Sequence, residues 1–365
     1  MMIIALTAAS SCSTWSAGEQ VGESNSRDNR LHDTHGGAAD HVRSAADQAW
    51  AAGAAIKHVF SNKDWCGHGS QAQIGWALRA EPDLENVDLT ARFEQLLAEV
   101  RAGKIEIDAD AAEDVYLLVG GLFSEHYTLL GYGDGNAQLF AQVGLPVRRL
   151  PGEGVIDTDT GTEANARAII PQLLAYQDAT HKVFLGGQSK GGDDVAGALA
   201  IMKKEMPGAF NKLKRRIVFV GMQMPYGGSP LVSDLNEGGK CEPLDNLVGG
   251  VVRGLFGTDE GFNSMSYTSR QAFIEKYPYP AEIKTISFVS TKVPAFPAPM
   301  WAPAQYMLRR YNTHGDGFVA RDDAIIPGSA LVVLEGVDHG ESVIGFGSST
   351  PMELTAALLL LAREL

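Results

Sequence analysis

The sequence predicts an α/β protein in which a mostly parallel central sheet has helices on both faces. Short apolar runs of strand length alternate with helical patterns from residue 114 to the C-terminus. Strands that are buried on both faces appear as continuous apolar runs of this kind. The composition agrees, because 365 residues with 45% hydrophobic and 20% charged residues are typical of a globular protein with one large domain or two small ones.

The predicted elements alternate along the chain in the order that such a sheet requires. Amphipathic helical patterns come first, at 41–60 and 89–100. The predicted strands are 115–119, 183–185, 217–220, 283–289 and 330–334, with residues 139–147 passing from helix into strand. The predicted helices between and after them are 163–176, 194–204 and the Ala- and Leu-rich segment 355–365.

Composition divides the chain into three parts. Residues 1–37 combine a signal-like apolar run with a polar, Gly- and Ser-rich leader that we expect to be disordered. Residues 38–110 are expected to form a helical N-terminal extension, and residues 111–365 the α/β domain. Within that domain, 225–279 is a candidate cap or lid, since its segment 247–256 is apolar and glycine-rich. A cap helix that never moves explains this segment equally well.

Charge and cysteine content constrain the partners and the location. The formal charge of −14 excludes the basic footprint of a nucleic-acid-binding protein. The apolar residues 1–9, two serines and Cys12 are similar to a secretion signal, so we expect a secreted, periplasmic or lipid-anchored protein, with a cytoplasmic location left open. In an exported protein, Cys66 and Cys241 could pair as a disulfide. No cysteine spacing supports a zinc site, and we expect neither a metal nor a cofactor.

The segment Gly187–Gly191 (Gly-Gln-Ser-Lys-Gly) is the candidate nucleophile motif. A predicted strand enters it and a predicted helix leaves it. A sharp strand-to-helix turn would lift the hydroxyl of Ser189 above the sheet, and the flanking glycines would let the backbone pack closely. The N-terminus of the helix would direct free N–H groups at developing negative charge. The alternative is a glycine-rich turn with an incidental serine.

A serine hydroxyl becomes a nucleophile only when a base removes its proton. In a strand–turn–helix arrangement of this kind the acid and then the base follow the serine along the chain. Two histidines, His314 and His339, meet this condition. We prefer His339, because it follows a predicted strand directly, and we keep His314 as the minor alternative.

The base needs a carboxylate that orients it. Asp316 is the best candidate, because it lies in a Gly-flanked turn that could hold it rigidly near His339. Asp338 is adjacent to the histidine, so its side chain should diverge from the imidazole. Asp322 and Asp323 are expected to be solvated residues at the start of a helix.

Two backbone N–H groups should stabilise the negative charge that develops on the substrate oxygen. We expect one from Lys190 and the other from Leu122, with Phe123 as the alternative, in the loop after the first core strand. Gly121, Phe123 and Gln188 are expected to contact the substrate. The side chain of Lys190 would add positive charge beside the nucleophile and favour an anionic acyl or head group.

These stretches together resemble the α/β-hydrolase fold and, within it, the bacterial secreted lipases and esterases. The similarity covers about residues 114–365. Four stretches in the right order carry it: 119–122, 187–191, 315–319 and 336–340. Two weaker ones are 228–234 and 266–278. The pair Gly120–Gly121 departs from the His-Gly that is usual in the family's first loop.

The resemblance implies a serine hydrolase that cleaves carboxylic esters, lipids included, through a Ser189–Asp316–His339 triad and an acyl-enzyme. An acyltransferase or thioesterase on the same scaffold stays open, since a fold does not determine the acyl acceptor. A non-catalytic lipid-binding surface protein is the third alternative. The expected partner is a small-molecule or lipid ester, with transient contact to a lipid surface. Some of these lipases bind a structural calcium through acids near the catalytic histidine. In this sequence Glu341 is the nearest such acid, and we predict no metal.

Overall fold

The computed structural model describes residues 74–80, 85–105, 113–122, 145, 147–149, 159–236, 260–292, 301–344 and 351–365. All of them belong to one of the two compact units of the chain, Cys66–Leu365. The leader 1–37, the three cysteines, Phe123 and the apolar segment 247–256 lie outside the described residues. The expectations about them therefore stay predictions.

In the described part of the chain, seven strands form one sheet. Their bounds are β1 Val87–Asp88, β2 Val115–Val119, β3 Val147–Arg149, β4 Val183–Gln188, β5 Ile217–Met222, β6 Lys284–Thr291 and β7 Ala330–Glu335. Their order in the sheet is β1-β7-β6-β5-β4-β2-β3, and every pairing between neighbours is parallel. In a parallel sheet the carboxyl ends of the strands share one edge, and the loops at that edge can build a site.

Helices connect and flank the strands. Their bounds are α1 Trp76–Ala80, α2 Thr90–Arg101, α3 Thr162–Leu174, α4 Lys190–Glu205, α5 Pro207–Leu213, α6 Pro230–Asn236, α7 Glu260–Asn263, α8 Tyr267–Lys276, α9 Trp301–Tyr311, α10 Glu341–Ile344 and α11 Pro351–Glu364. A single 3₁₀ turn among the described residues, Arg321–Ala324, follows α9. Among these described helices, none has the length and apolar content needed to cross a membrane.

Both faces of the sheet are buried, which explains why its strands are apolar at consecutive positions. In β2, Leu117 and Val119 join a hydrophobic cluster with residues of α3 and α4. Tyr116 and Leu118, which alternate with them, join a second cluster with residues of α2 and α11. The predicted architecture, a mostly parallel sheet with helices on both faces, is confirmed.

The segment expected to form a helical N-terminal extension contributes to the sheet in its described part. β1 adds to the sheet edge beside β7, where Val87 pairs with Ala330. α2 lies against α11, and Arg92 forms an exposed ion pair with Glu364 there. β1 has only two residues, and both are exposed, so no apolar run marks it as a strand in the sequence.

Candidate active site

The nucleophile turn, which we define as residues 187–192, connects β4 to α4. Ser189 lies at its apex with φ 52° and ψ −131°, a backbone conformation that residues other than glycine rarely adopt. Its N–H donates to the carbonyl oxygen of Met222 at the end of the neighbouring β5, at 2.9 Å. Ser189 as a whole is 5% exposed. A strained, held backbone of this kind is frequent at functional sites.

Glycines allow the loop after β2 to pack directly on this turn. A Cβ at Gly191 would lie 2.7 Å from the carbonyl oxygen of Val119 and still closer to that of Gly120. A Cβ at Gly121 would lie 2.9 Å from the Cβ of Ser189 and would collide with the side chain of Gln188. The predicted substrate-contacting residues Gly121 and Gln188 are therefore close to the serine.

A continuous line of hydrogen bonds joins the three residues predicted as a triad. The Oγ of Ser189 lies 2.9 Å from Nε2 of His339. Nδ1 of the same ring lies 2.8 Å from Oδ2 of Asp316. Ser189 follows β4, Asp316 lies in the turn after α9, and His339 follows β7, so that 150 and 23 residues separate the members of the two hydrogen-bonded pairs.

Asp316 is held so that one oxygen faces the histidine. It is 2% exposed. Its Oδ1 accepts hydrogen bonds from the backbone N–H groups of Phe318 and Val319, both at 2.8 Å, which leaves Oδ2 for the imidazole. The backbone N–H of His339 also donates to the carbonyl oxygen of Asp316, at 2.8 Å. The ring of Phe318 lies against the imidazole with the ring centres 4.9 Å apart.

The remaining candidates from the sequence have other roles. His314 is exposed, and the hydroxyl of Ser189 is hydrogen-bonded to His339 instead. The side chain of Asp338 diverges from the imidazole as expected, since its Oδ1 accepts from the N–H groups of residues 340 and 341. The expectation that Asp323 is solvated is wrong. It is fully buried and accepts a 2.7 Å hydrogen bond from the hydroxyl of Tyr267.

The predicted oxyanion donors belong to two segments, the start of α4 and the loop after β2. Lys190 is the first residue of α4, so its N–H belongs to the free N-terminus of that helix. Leu122 follows Gly121 in the loop after β2 and is partly exposed. The expected effect of the Lys190 side chain on substrate charge is wrong. Its ammonium is fully buried and donates to both oxygens of Asp194, at 2.9 and 3.1 Å, because the two residues are one helical turn apart.

A second buried ion pair lies in the same first turn of α4. Arg270 of α8 lies 3.3 Å from Asp193, and both side chains are almost completely buried. Burial raises the pKa of Asp193 to about 7 against the lowering effect of the Arg270 guanidinium. Burial also raises the pKa of Asp194, which accepts a 3.0 Å hydrogen bond from Asn165.

Polar side chains hold the base loop, which we define as residues 336–342. Lys292, just beyond β6, places its ammonium 2.7 Å from each oxygen of Glu341 and 2.8 Å from the carbonyl oxygen of Gly336. Glu341 also accepts from the N–H of Asp338 at 2.8 Å. The carboxylate of Glu341, the acid considered above as a calcium ligand, is thus paired with the ammonium of Lys292. The described residues contain no cluster of three or more acids, histidines or cysteines that could hold a metal.

Sequence reasoning missed the residues that support the three predicted side chains. Lys292, Gln223 and Asp193 belong to no recognisable motif, and their partners are distant in the chain. Asp193 carries one usable signal. Two acids directly inside the first turn of a helix with an apolar continuation suggest buried charges that need partners.

Two solved structures are similar to this chain over most of their own length. The mature form of the Bacillus licheniformis lipase BlEst2 is 17% identical, with a TM-score of 0.51; the match covers 71% of this chain and 94% of that one. The metagenomic carboxyl esterase MGS0156 is 18% identical, with a TM-score of 0.53 and coverage of 71% and 78%. No protein-family model and no curated protein matches the sequence. At such identities the likeness concerns the fold.

Proposed function

We propose that this chain, which has the α/β-hydrolase fold, is a serine hydrolase that cleaves carboxylic ester bonds, lipids included. One observation carries the proposal. Ser189, His339 and Asp316 form an unbroken line of hydrogen bonds at the carboxyl edge of the sheet, with 2.9 and 2.8 Å between the bonded atoms. This is the arrangement that turns a serine hydroxyl into a nucleophile.

In the acylation step, the Oγ of Ser189 attacks the ester carbonyl carbon while Nε2 of His339 takes the hydroxyl proton. Asp316 keeps the imidazole in the tautomer that has Nδ1 protonated, and stabilises the imidazolium that forms. The buried position of Asp316 strengthens this interaction, because little water screens it. His339 then gives the proton to the departing alcohol, which leaves an ester between Ser189 and the acyl group.

The negative charge on the carbonyl oxygen needs donors that are in place before the reaction. The N–H of Lys190 at the start of α4 and the N–H of Leu122 in the loop after β2 would supply them. The close packing of Gly121 against Ser189 supports this assignment, since it brings that loop to the nucleophile. Gly121, Phe123 and Gln188 would contact the substrate beside the reacting carbon.

In the deacylation step, a water molecule takes the place of the alcohol. His339 removes a proton from this water, whose oxygen attacks the acyl carbonyl carbon, and then returns the proton to the Oγ of Ser189 as the free acid leaves. The same site would transfer the acyl group if an alcohol or thiol replaced the water. The acceptor therefore decides between hydrolysis and transfer.

The test is the hydrolysis of p-nitrophenyl butyrate and p-nitrophenyl palmitate by the wild type and two pairs of variants. Ser189→Ala and His339→Ala should lose turnover by at least about 10³-fold. Ser269→Ala and His314→Ala are the matched controls, because they alter a serine and a histidine outside the candidate site, and they should keep wild-type rates. Undiminished turnover by Ser189→Ala would overturn the proposal. Loss of turnover in His314→Ala, with His339→Ala unaffected, would identify His314 as the base instead of His339.

Product analysis with an added alcohol tests the choice of acceptor. Release of free butyric acid as the main product supports the hydrolase. A new butyrate ester as the main product would replace the proposed function by acyl transfer.

A further inference from the structure

Gln223 has a backbone conformation that the mechanism above does not explain. Among the described residues, three that are not glycine have positive φ angles: Ser189, Gln223 and Asn312. Ser189 forms the nucleophile turn, and Asn312 is an exposed asparagine after α9, a residue type that tolerates this conformation. Gln223 has φ 49° and is fully buried directly after β5. A strained, buried polar residue requires surrounding contacts that hold it there.

The side-chain amide of Gln223 forms hydrogen bonds with the base loop and with β6. Its Nε2 donates to the carbonyl oxygen of Asp338 at 3.2 Å and to the hydroxyl of Ser290. Its Oε1 accepts from the hydroxyl of Ser342. The amide therefore holds the base loop on both sides of His339, one residue before it and three residues after it.

The backbone at Gln223 is connected to the nucleophile as well. The preceding residue, Met222, accepts the N–H of Ser189 through its carbonyl oxygen. The N–H of Gln223 donates to the carbonyl oxygen of Phe288 at 2.8 Å, which fixes the residue to β6. One peptide unit thus separates the carbonyl that holds the serine from the side chain that holds the histidine loop.

We propose that Gln223 is a positioning residue that sets the base loop at the distance at which His339 can exchange a proton with Ser189 and with the leaving group. The left-handed backbone is part of this role, because it directs the side chain back over the sheet edge toward the base loop. The inference rests on the proposed function and deepens it. Gln223 does not touch the substrate; it acts through His339.

A misplaced histidine affects some esters more than others. An alkyl ester releases an alkoxide, which needs a proton from His339 as it leaves, whereas p-nitrophenolate is stable enough to leave without one. Displacement of a reacting group by about 1 Å can cost about 10²-fold in rate. Loss of folded protein, in contrast, lowers the rate for every ester by the same factor.

The experiment compares kcat/KM for ethyl butyrate and p-nitrophenyl butyrate, which share one acyl group. Gln223→Met keeps the size of the side chain and removes its hydrogen bonds. We expect it to reduce the rate for ethyl butyrate by about 10²-fold and to reduce the rate for the p-nitrophenyl ester roughly tenfold less. Asn86→Leu is the matched control, because the Asn86 amide donates to the carbonyl oxygens of Ile326 and Ser329, in the turn before β7. It should leave the ratio of the two rates unchanged.

A second variant keeps the test decisive if Gln223→Met does not fold. Gln223→Gly removes the amide and also relieves the backbone strain, so it should fold and show the same selective loss for ethyl butyrate. Equal losses for both esters in the variant that folds would overturn the role of Gln223, while the wild-type activity would leave the proposed function intact. A wild type inactive on both esters, with an unreactive Ser189, would instead overturn the proposed function and this inference with it.

Discussion

The nucleophile turn and the base loop meet at one hydrogen bond, yet they are held in different ways. The nucleophile turn is fixed by close backbone packing, in which Gly121 and Gly191 leave no space for a side chain. Behind it, buried charges of opposite sign fill the first turn of α4. Size and burial therefore determine where Ser189 lies.

The base loop is fixed by hydrogen bonds instead. Asp338 caps residues 340 and 341, and Lys292 neutralises Glu341. Gln223 ties the same loop to the ends of β5 and β6. Loss of any one polar partner leaves buried donors or acceptors unsatisfied, which costs more than the hydrogen bond contributes.

The nucleophile turn and the base loop should therefore respond differently to mutation. Added volume should disrupt the nucleophile turn, and removal of a polar group should disrupt the base loop. Changes in pH should act on the nucleophile side through Asp193, whose pKa burial raises to about 7.

The largest expected effect is that of Asp316→Asn on the base side. The amide oxygen can still accept from the N–H groups of Phe318 and Val319, so its NH₂ would face Nδ1 of His339 and impose the wrong tautomer. We expect kcat to fall about 10⁴-fold with little change in the melting temperature. Steady-state kinetics and thermal unfolding measure both, with the exposed Asp322→Asn as control. A loss below tenfold would mean that Asp316 does not orient the base.

Gly191→Ala should break the nucleophile side by volume alone. The new methyl group would collide with the carbonyl oxygens of Gly120 and Val119, and both belong to backbone that cannot rotate away. We expect a loss of about 3 kcal/mol in the free energy of unfolding, together with loss of activity. Gly208→Ala in α5 is the matched control, since nothing lies within 4 Å of its Cβ. Equal behaviour of the two variants in denaturant unfolding would contradict the packing argument.

The pH dependence of stability should also distinguish the nucleophile turn from the base loop. The pKa of Asp193 is about 7 in the folded protein and 3.8 as the ordinary value. The folded state therefore holds the proton more tightly, and this contribution to stability is complete below about pH 4 and is lost as the pH rises through 7.

Titration of Asp193 should lower the unfolding free energy of the wild type by about 2–3 kcal/mol between pH 5 and pH 8, and this contribution should be absent from Asp193→Asn. Denaturant unfolding at both pH values measures it. Asp178→Asn, which alters an exposed partner of Lys212, should keep the wild-type slope. A steeper slope in Asp193→Asn than in the wild type would reverse the sign of the argument.

The smallest expected effect is that of Lys292→Met in the base loop. It leaves the carboxylate of Glu341 without its cation, so the loop should loosen and kcat should fall about tenfold at unchanged KM. The double variant Lys292→Met/Glu341→Gln should recover part of this loss, because no charge is left unpaired. Lys203→Met, which removes an exposed pair with Glu282, is the control and should have wild-type kinetics. A double variant as slow as the single one would exclude the charge explanation.

The sequence predicted the parts of the molecule that local pattern determines. Apolar runs identified β2 and β4 to β7 because both faces of the sheet are buried, and the glycine-flanked Ser189 and Asp316 follow from turn chemistry. β1 escaped prediction because an exposed two-residue strand has no pattern. The same holds for the supports of the site, since the contacts of Gln223 with residues 290 and 338 depend on how distant segments pack.

The proposed function depends above all on the activation of Ser189 by His339. The most direct measurement is labelling with a fluorophosphonate probe, followed by peptide mass spectrometry that locates the adduct. We expect one adduct, on Ser189 in the wild type, and labelling slowed by at least about 10³-fold in His339→Ala. An adduct on another residue, or undiminished labelling in His339→Ala, would contradict it.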